Sequence, residues 1–203
     1  MNRLESKPLQ TRNIVLGALF LCIGFTLLSL FTWAWWALLL GSIAAWLIVF
    51  KKDLFTIFTF PKHSWIILVG FVGYLILGIV VGTLANFLGF SWAGNPIANQ
   101  LGSMLLKIPF MLMGEELLGI GILETARNKG LSLMSSSLLS ALIFGLMHSF
   151  VYWDGSIFST LLHVLLLQGV ARLIFNSVYL KTNHSIWGSW LSHVLVDIVT
   201  LIF

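Results

Sequence analysis

From Ile14 to Phe50 the chain carries no charged residue. As a single helix this run would be roughly 55 Å long, nearly twice the thickness of a bilayer's hydrocarbon core, so it predicts two spans. A tight turn near Ser29 to Trp33 joins them, where Ser29, Thr32, Trp33, Trp35 and Trp36 suit a membrane interface. The next segment, bracketed by Lys51, Lys52 and Lys62 and broken by Pro61, reads as a Phe-rich surface loop. A third span is predicted from about Trp65 to Phe90. The uncharged stretch Ser91 to Gly102 has the Gly, Asn and Pro of a loop. Four more spans follow: Ser103 to Ala126, Leu133 to Val151, Ile157 to Leu180, and a last one ending at Phe203. Each run exceeds the roughly 10 residues of a membrane β-strand, so the expected fold is an all-α, polytopic bundle of about seven transmembrane helices. Residues 1–100 form helices 1–3 and residues 101–203 form helices 4–7, with no repeat and no soluble domain.

Composition agrees with this pattern. Of 203 residues, 59% are hydrophobic and 9% charged, against about 25% charged in a soluble domain. Nine of the eleven Lys and Arg residues (Arg3, Lys7, Arg12, Lys51, Lys52, Lys62, Arg127, Lys129, Lys181) fall on one side of a seven-span chain and none on the other. That bias predicts a cytoplasmic amino terminus and an outside carboxyl terminus. It also accounts for the net charge of +4, so no nucleic-acid partner is expected. The basic start resembles a signal peptide, but the apolar run after it is far longer than a signal core. Cys22, the single cysteine, forms no intrachain disulfide and is expected against lipid or core.

The chemistry lies among intramembrane polar groups. Glu115 and Glu116 are adjacent inside an apolar run, where a charge near the bilayer centre costs at least ~2.5 kcal/mol. The last four spans also hold Glu124, His148, His163, Gln168, Arg172, Asn176, His193 and Asp197. Glu115 and Glu116 point about 100° apart on a helix, whereas His193 and Asp197, four apart, share a face, as do Phe144 and His148. Three helices can therefore present a carboxylate, an imidazole, and an imidazole with a carboxyl group to one interior cavity. No HExxH or comparable spacing is present, so neither a metal nor another cofactor is expected. Plainer roles are expected elsewhere: His163 as a helix–helix hydrogen-bond partner, Glu124 with Arg127 as a surface pair, the tryptophans as interfacial anchors, and Lys107 snorkelling from the outer end of its helix.

The runs Gly114-Glu115-Glu116-Leu117-Leu118, Phe144-Gly145-Leu146-Met147-His148 and His193-Val194-Leu195-Val196-Asp197 resemble, in order and spacing, the EExxxR, FxxxH and HxxxN/D motifs of the CPBP family. These are the CAAX-protease and bacteriocin-processing intramembrane proteins, the Abi and Rce1-like group. The resemblance covers roughly Leu101 to Phe203. It implies that Glu115 activates a water, that His148 helps hold it, and that His193 with Asp197 stabilises the oxyanion. Glu116 is the second carboxylate of the motif. Two positions depart from the pattern: the arginine falls at Ile120, preceded by Gly119, and Asp197 stands where an amide is usual. An ionised carboxylate accepts hydrogen bonds and donates none. Arg172 and Glu116 lie about 12 Å and 15 Å from the cytoplasmic ends of their spans, so Arg172 either replaces the lost arginine as partner of Glu116 or snorkels to the interface.

The expected function is glutamate-based intramembrane hydrolysis at an amide or ester carbonyl, peptidase-like, in a multi-pass protein of a bacterial plasma membrane. Acyl transfer in lipoprotein N-acylation is the alternative enzyme reading, and a membrane scaffold or a proton or ion pathway is the non-enzyme one. The expected partners are the bilayer, a membrane-anchored peptide or lipoprotein substrate and a possible partner protein. Paired repeats or interrupted helices, the marks of a transporter, are not evident in the sequence. The charge bias yields a direct expectation: cysteines placed at Gly94 and Gly155 are labelled by an impermeant maleimide from outside, and those at Ser64 and Asn128 only after permeabilisation. The reverse pattern would invert the topology.

Overall fold

The computed structural model describes residues 4, 8–92 and 94–202, with positions 96, 99 and 101 described by backbone alone. Arg3, Lys7 and Phe203 lie outside the described residues. The helices run α1 (Thr11–Leu30), α2 (Ala37–Val49), α3 (Trp65–Phe87), the single turn α4 (Leu101–Met104), α5 (Ile108–Asn128), α6 (Leu133–Met147), α7 (Ile157–Val164), α8 (Val170–Lys181) and α9 (Ile186–Ile202). Among the described residues there is no strand. Three segments are long and apolar enough to cross a bilayer: α1, α3, and α7 with α8 as one 25-residue rod. Helices α2, α6 and α9 are apolar but shorter, at 10–17 residues.

The rod from Ile157 to Lys181 is interrupted by a π-helical turn, Leu165–Gly169, which the sequence did not announce. Such turns occur as single insertions at functional sites because they rotate the following residues around the axis. Gly169 lies beside Gly145 of α6: a Cβ at Gly145 would sit 3.3 Å from the Gly169 backbone.

Both ends of the bundle are tied. Lys129 donates to the Leu9 carbonyl (2.8 Å), and the Lys62 amide donates to the Thr182 carbonyl (3.1 Å). Ser185 donates to the carbonyl of Thr59. The amino-terminal segment, the 51–62 loop, the α5–α6 turn and the α8–α9 turn therefore share one end, which gathers Lys51, Lys52, Lys62, Lys129 and Lys181. The α1–α2 turn, the α3–α5 connection and the α6–α7 turn share the other.

The first hundred residues do more than fill lipid. Trp46, Phe50, Leu54 and Ile57 join Leu117, Ile120, Leu123, Tyr179 and Ile186 in one buried cluster. Gly114 allows α2 to cross α5 closely, since a Cβ there would lie 2.7 Å from the Leu39 amide nitrogen. At that crossing Ser42 Oγ donates to the Gly114 carbonyl (2.9 Å) and Trp46 Nε1 to the Leu117 carbonyl (2.7 Å). Trp46 is thus a core brace and no interfacial anchor, and Trp190 likewise donates to the Pro109 carbonyl. Trp33, Trp65 and Trp153 are exposed, as anchors would be. The 51–62 loop is only partly a surface loop, for Leu54 and Ile57 are buried while Phe55 and Phe60 are exposed. Glu124 is no surface residue either: it is fully buried, accepts from the Tyr179 hydroxyl (2.9 Å), and lies 3.4 Å from His184. Cys22 is on the exposed side of α1, and Lys107, at the start of α5, reaches Met104 Sδ at 4.0 Å.

Trp46→Phe keeps the aromatic packing but removes the bond that fixes α2 on α5. Its apparent melting temperature in detergent is expected to fall by an amount equivalent to about 1 kcal/mol. An unchanged melting temperature would mean that the indole bond contributes nothing to the crossing.

Candidate active site

Helix α5 begins with Pro109 in its first turn, a position where a missing amide proton costs nothing, and continues through the apolar run that carries both glutamates. Their 100° separation divides their roles. Glu116 turns inward and is fully buried. Both of its oxygens accept from Arg172 of α8, Nη1 at 2.8 Å and Nη2 at 3.0 Å. Glu115 turns toward a cavity of about 540 Å³.

Arg172 is likewise fully buried, so the snorkelling alternative does not hold. Its Nε donates to Asn176 Oδ1 (3.0 Å), one turn further along α8. Its guanidinium lies over Phe144 and Phe175, 5.5 and 5.6 Å from the ring centroids. Room for it comes from Gly119, where a Cβ would lie 2.7 Å from Arg172 Cδ and Nη1. The motif arginine's position, Ile120, instead faces the buried cluster with Trp46 and Tyr179.

The next link is His193 of α9. Its Nδ1 lies 2.9 Å from Glu116 Oε1. Glu116 acts as acceptor on both oxygens toward Arg172, so the proton of this contact belongs to His193 Nδ1. Phe175 stacks on the His193 ring at 4.3 Å, which fixes its plane. The other ring nitrogen, Nε2, therefore points at the two remaining carboxylates, Glu115 Oε2 at 4.0 Å and Asp197 Oδ1 at 3.7 Å.

His148 enters from the end of α6, where it is the C-capping residue. Its Nδ1 lies 2.8 Å from the Phe144 carbonyl, which only accepts, so Nδ1 carries the proton and Nε2 the lone pair. Glu115, His148, His193 and Asp197 all line the one cavity, whereas Glu116 stands behind it. No group of three or more His, Cys, Asp and Glu side chains among the described residues is arranged to hold a metal ion.

Several residues of this assembly had no assigned role in the sequence. Tyr74 of α3 lines the cavity, as do Tyr152 and Gln168. His163 also lines it and is no helix–helix hydrogen-bond partner through Nδ1, which has none; its ring stacks on Trp92 (4.7 Å) and meets Tyr152 edge-on. The α6–α7 turn beneath these rings is held by Asp154, which accepts from Ser159, from Thr160 (3.0 Å) and from the Ser156 amide (3.0 Å). Those bonds, the Ser159 hydroxyl first, hold the Asp154 carboxyl below the usual range. A visible signal for the missed aromatics did exist: Tyr152-Trp153 and Trp92 sit in two of the connections at the cavity end of the bundle.

No curated protein and no solved structure matches the chain. One family model does, that of the type II CAAX prenyl endopeptidase Rce1-like proteins, over residues 97–199. That match takes in half of the chain and every residue of the constellation above, Glu115 and Glu116 on α5, His148 on α6, Arg172 on α8, and His193 and Asp197 on α9. With its motif residues gathered about one intramembrane cavity, the chain belongs to the Rce1-like family, within the CPBP group of membrane proteins.

Proposed function

We propose that this protein is a glutamate-dependent intramembrane hydrolase that cuts an amide, or an ester, in a membrane-anchored peptide or lipoprotein. In this reading the seven helical segments span a bacterial plasma membrane with the amino terminus cytoplasmic. The family membership supports a CAAX-protease-type hydrolase. The observation that carries the mechanism is the fixed chain Arg172–Glu116–His193, with Glu115 and Asp197 facing the exposed edge of the same imidazole.

Glu115 is the general base: it takes a proton from water, and the resulting hydroxide attacks the carbonyl carbon. His148 Nε2 accepts a hydrogen bond from the other O–H of the same water and so holds the nucleophile without taking that proton. The oxyanion that forms needs a donor, which His193 supplies from Nε2 when that nitrogen is protonated, its orientation set by Glu116. Glu115 then returns its proton to the leaving nitrogen or oxygen as the carbon–heteroatom bond breaks. Glu116 touches neither water nor substrate and acts as a positioning residue. An amine in place of water would convert the same steps into acyl transfer, and the product identifies which acceptor is used.

Glu115→Gln is nearly isosteric and removes only the base. It is expected to lower turnover by about 10²-fold or more while the protein remains folded and inserted, as read from membrane-peptide and lipoprotein mass spectra of cells carrying each form. Full turnover by the Gln variant would exclude Glu115 as the base.

Arg172→Leu leaves Glu116 buried without its counter-charge and is expected to cost about 3–5 kcal/mol of stability, read as loss of folded protein on detergent extraction. Gly119→Leu is expected to weaken the same pair by driving Arg172 aside. Arg172→Lys keeps a charge but loses the two-pronged geometry, so intermediate stability with impaired turnover is the expected result. A stable, fully active Arg172→Leu protein would show that the pair is dispensable.

A further inference from the structure

The cavity has a direction. Beside the candidate catalytic groups it is lined by Ser29 from the last turn of α1, Thr32 from the α1–α2 turn, Asn95 and Gln100 from the α3–α5 connection, and Tyr152 from the α6–α7 turn. All of these lie at the end of the bundle opposite the clustered lysines. Glu115 is about 10 Å from the start of α5 at that end, Asp197 about 8 Å from the end of α9, and His148 caps α6 there. The reacting groups therefore lie in the half of the bundle away from the basic loops.

Its chemistry is equally one-sided. One wall is apolar and adaptable: Phe25 and Leu28 of α1, Leu38 of α2, Met111 and Leu118 of α5, and Met147 of α6. No Lys or Arg is among the described residues that line it. Arg172 is already occupied by Glu116 and Asn176, and Lys107 at the start of α5 is turned toward Met104 Sδ (4.0 Å). The polar end is rich in acceptors: the carboxylates of Glu115 and Asp197, and Gln168 Oε1. The last is a buried atom with no protein partner, as is His163 Nδ1 beside it. A buried amide oxygen such as Gln168 Oε1 is satisfied by a ligand that brings N–H groups, whereas a carboxylate brings only further acceptors.

We infer that the cavity takes its substrate from the extracytoplasmic face, as an aliphatic chain whose polar end is an amine or amide and not a carboxylate. The inference rests on the hydrolase reading above, because it names the substrate class of that same cavity. It departs from a CAAX tail, which ends in a free carboxylate and is a cytoplasmic chain terminus. The apolar wall accepts the aliphatic portion, and the N–H-bearing end meets Gln168 Oε1 and the two carboxylates.

The test uses thiol chemistry in intact cells, on a Cys22→Ser background of the full chain. Met147→Cys lies on the cavity wall, and Thr32→Cys at its mouth serves as the reference. Two impermeant methanethiosulfonates are added from outside, one trimethylammonium and one sulfonate. At Met147→Cys the cationic reagent is expected to react about tenfold faster than the anionic one, relative to their ratio at Thr32→Cys. The double change Glu115→Gln with Asp197→Asn is expected to abolish that preference. Decylamine is expected to protect Met147→Cys, and decanoate at the same concentration is not. Labelling of Met147→Cys only in inverted vesicles would overturn the proposed direction. A faster anionic reagent, or protection by decanoate as strong as by decylamine, would overturn the proposed chemistry. None of these readouts needs turnover, so a failed Glu115→Gln test of the base and a failed labelling test are separate results.

Discussion

The structure depends on one buried ion pair. A carboxylate and a guanidinium, each removed from water, are affordable only together, and the two-pronged contact of Arg172 with Glu116 satisfies both at once. It sets the relative depth and rotation of α5 and α8, because sliding either helix by one residue would leave two charges unmatched. Glu116 then spends its remaining capacity on His193, which brings α9 into the same register. Three helices are locked by one carboxylate, and the neighbouring residue, Glu115, is thereby aimed into the cavity without being tied itself.

Around that pair the packing is made to fit. Gly119 withdraws from the space that the guanidinium fills, Phe144 and Phe175 lie against it, and Phe175 also stacks on the His193 ring. The π-helical turn before α8 lies within the same rod as Arg172, and it carries Gln168 to the cavity. From the other side α2 clamps α5 through Ser42 and Trp46, whose bonds to the Gly114 and Leu117 carbonyls bracket the two glutamates. The helices with no motif residues thus determine where the motif residues point. In the proposed mechanism such rigidity keeps Glu115, His148 and His193 at fixed distances from one reacting carbonyl, since misplacement by even 1 Å weakens catalysis.

Much of this was legible in the residues themselves. The membrane setting follows from the lack of charge between Ile14 and Phe50 and from the 9% charged composition, because burying so few charges in so long a chain has no soluble solution. The paired glutamates and the His148 and His193 motifs were visible from their cost in hydrocarbon and from helical spacing, and equal depth nominated Arg172 as a partner for Glu116. Glu124 and His163 were misread because sequence alone does not say which helix faces which. Glu124 meets Tyr179 and His184 only once α5, α8 and the α8–α9 turn converge, and His163 meets Trp92 only once the α3–α5 connection folds over α7.

By itself, then, the sequence determined the all-helical membrane character, which intramembrane polar groups are candidates for a site and the grouping of the basic loops, since these follow from local periodicity and from the cost of charge in an apolar medium. Only the tertiary structure decided that Glu116 is a clamp while Glu115 faces the cavity, that Arg172 fills the space Gly119 leaves, and that Trp46 braces α5. Each of these depends on contacts between residues 50 to 80 positions apart or on a rotation about a helix axis, and the free energy that selects them is interhelical packing and pairing, which no single segment contains.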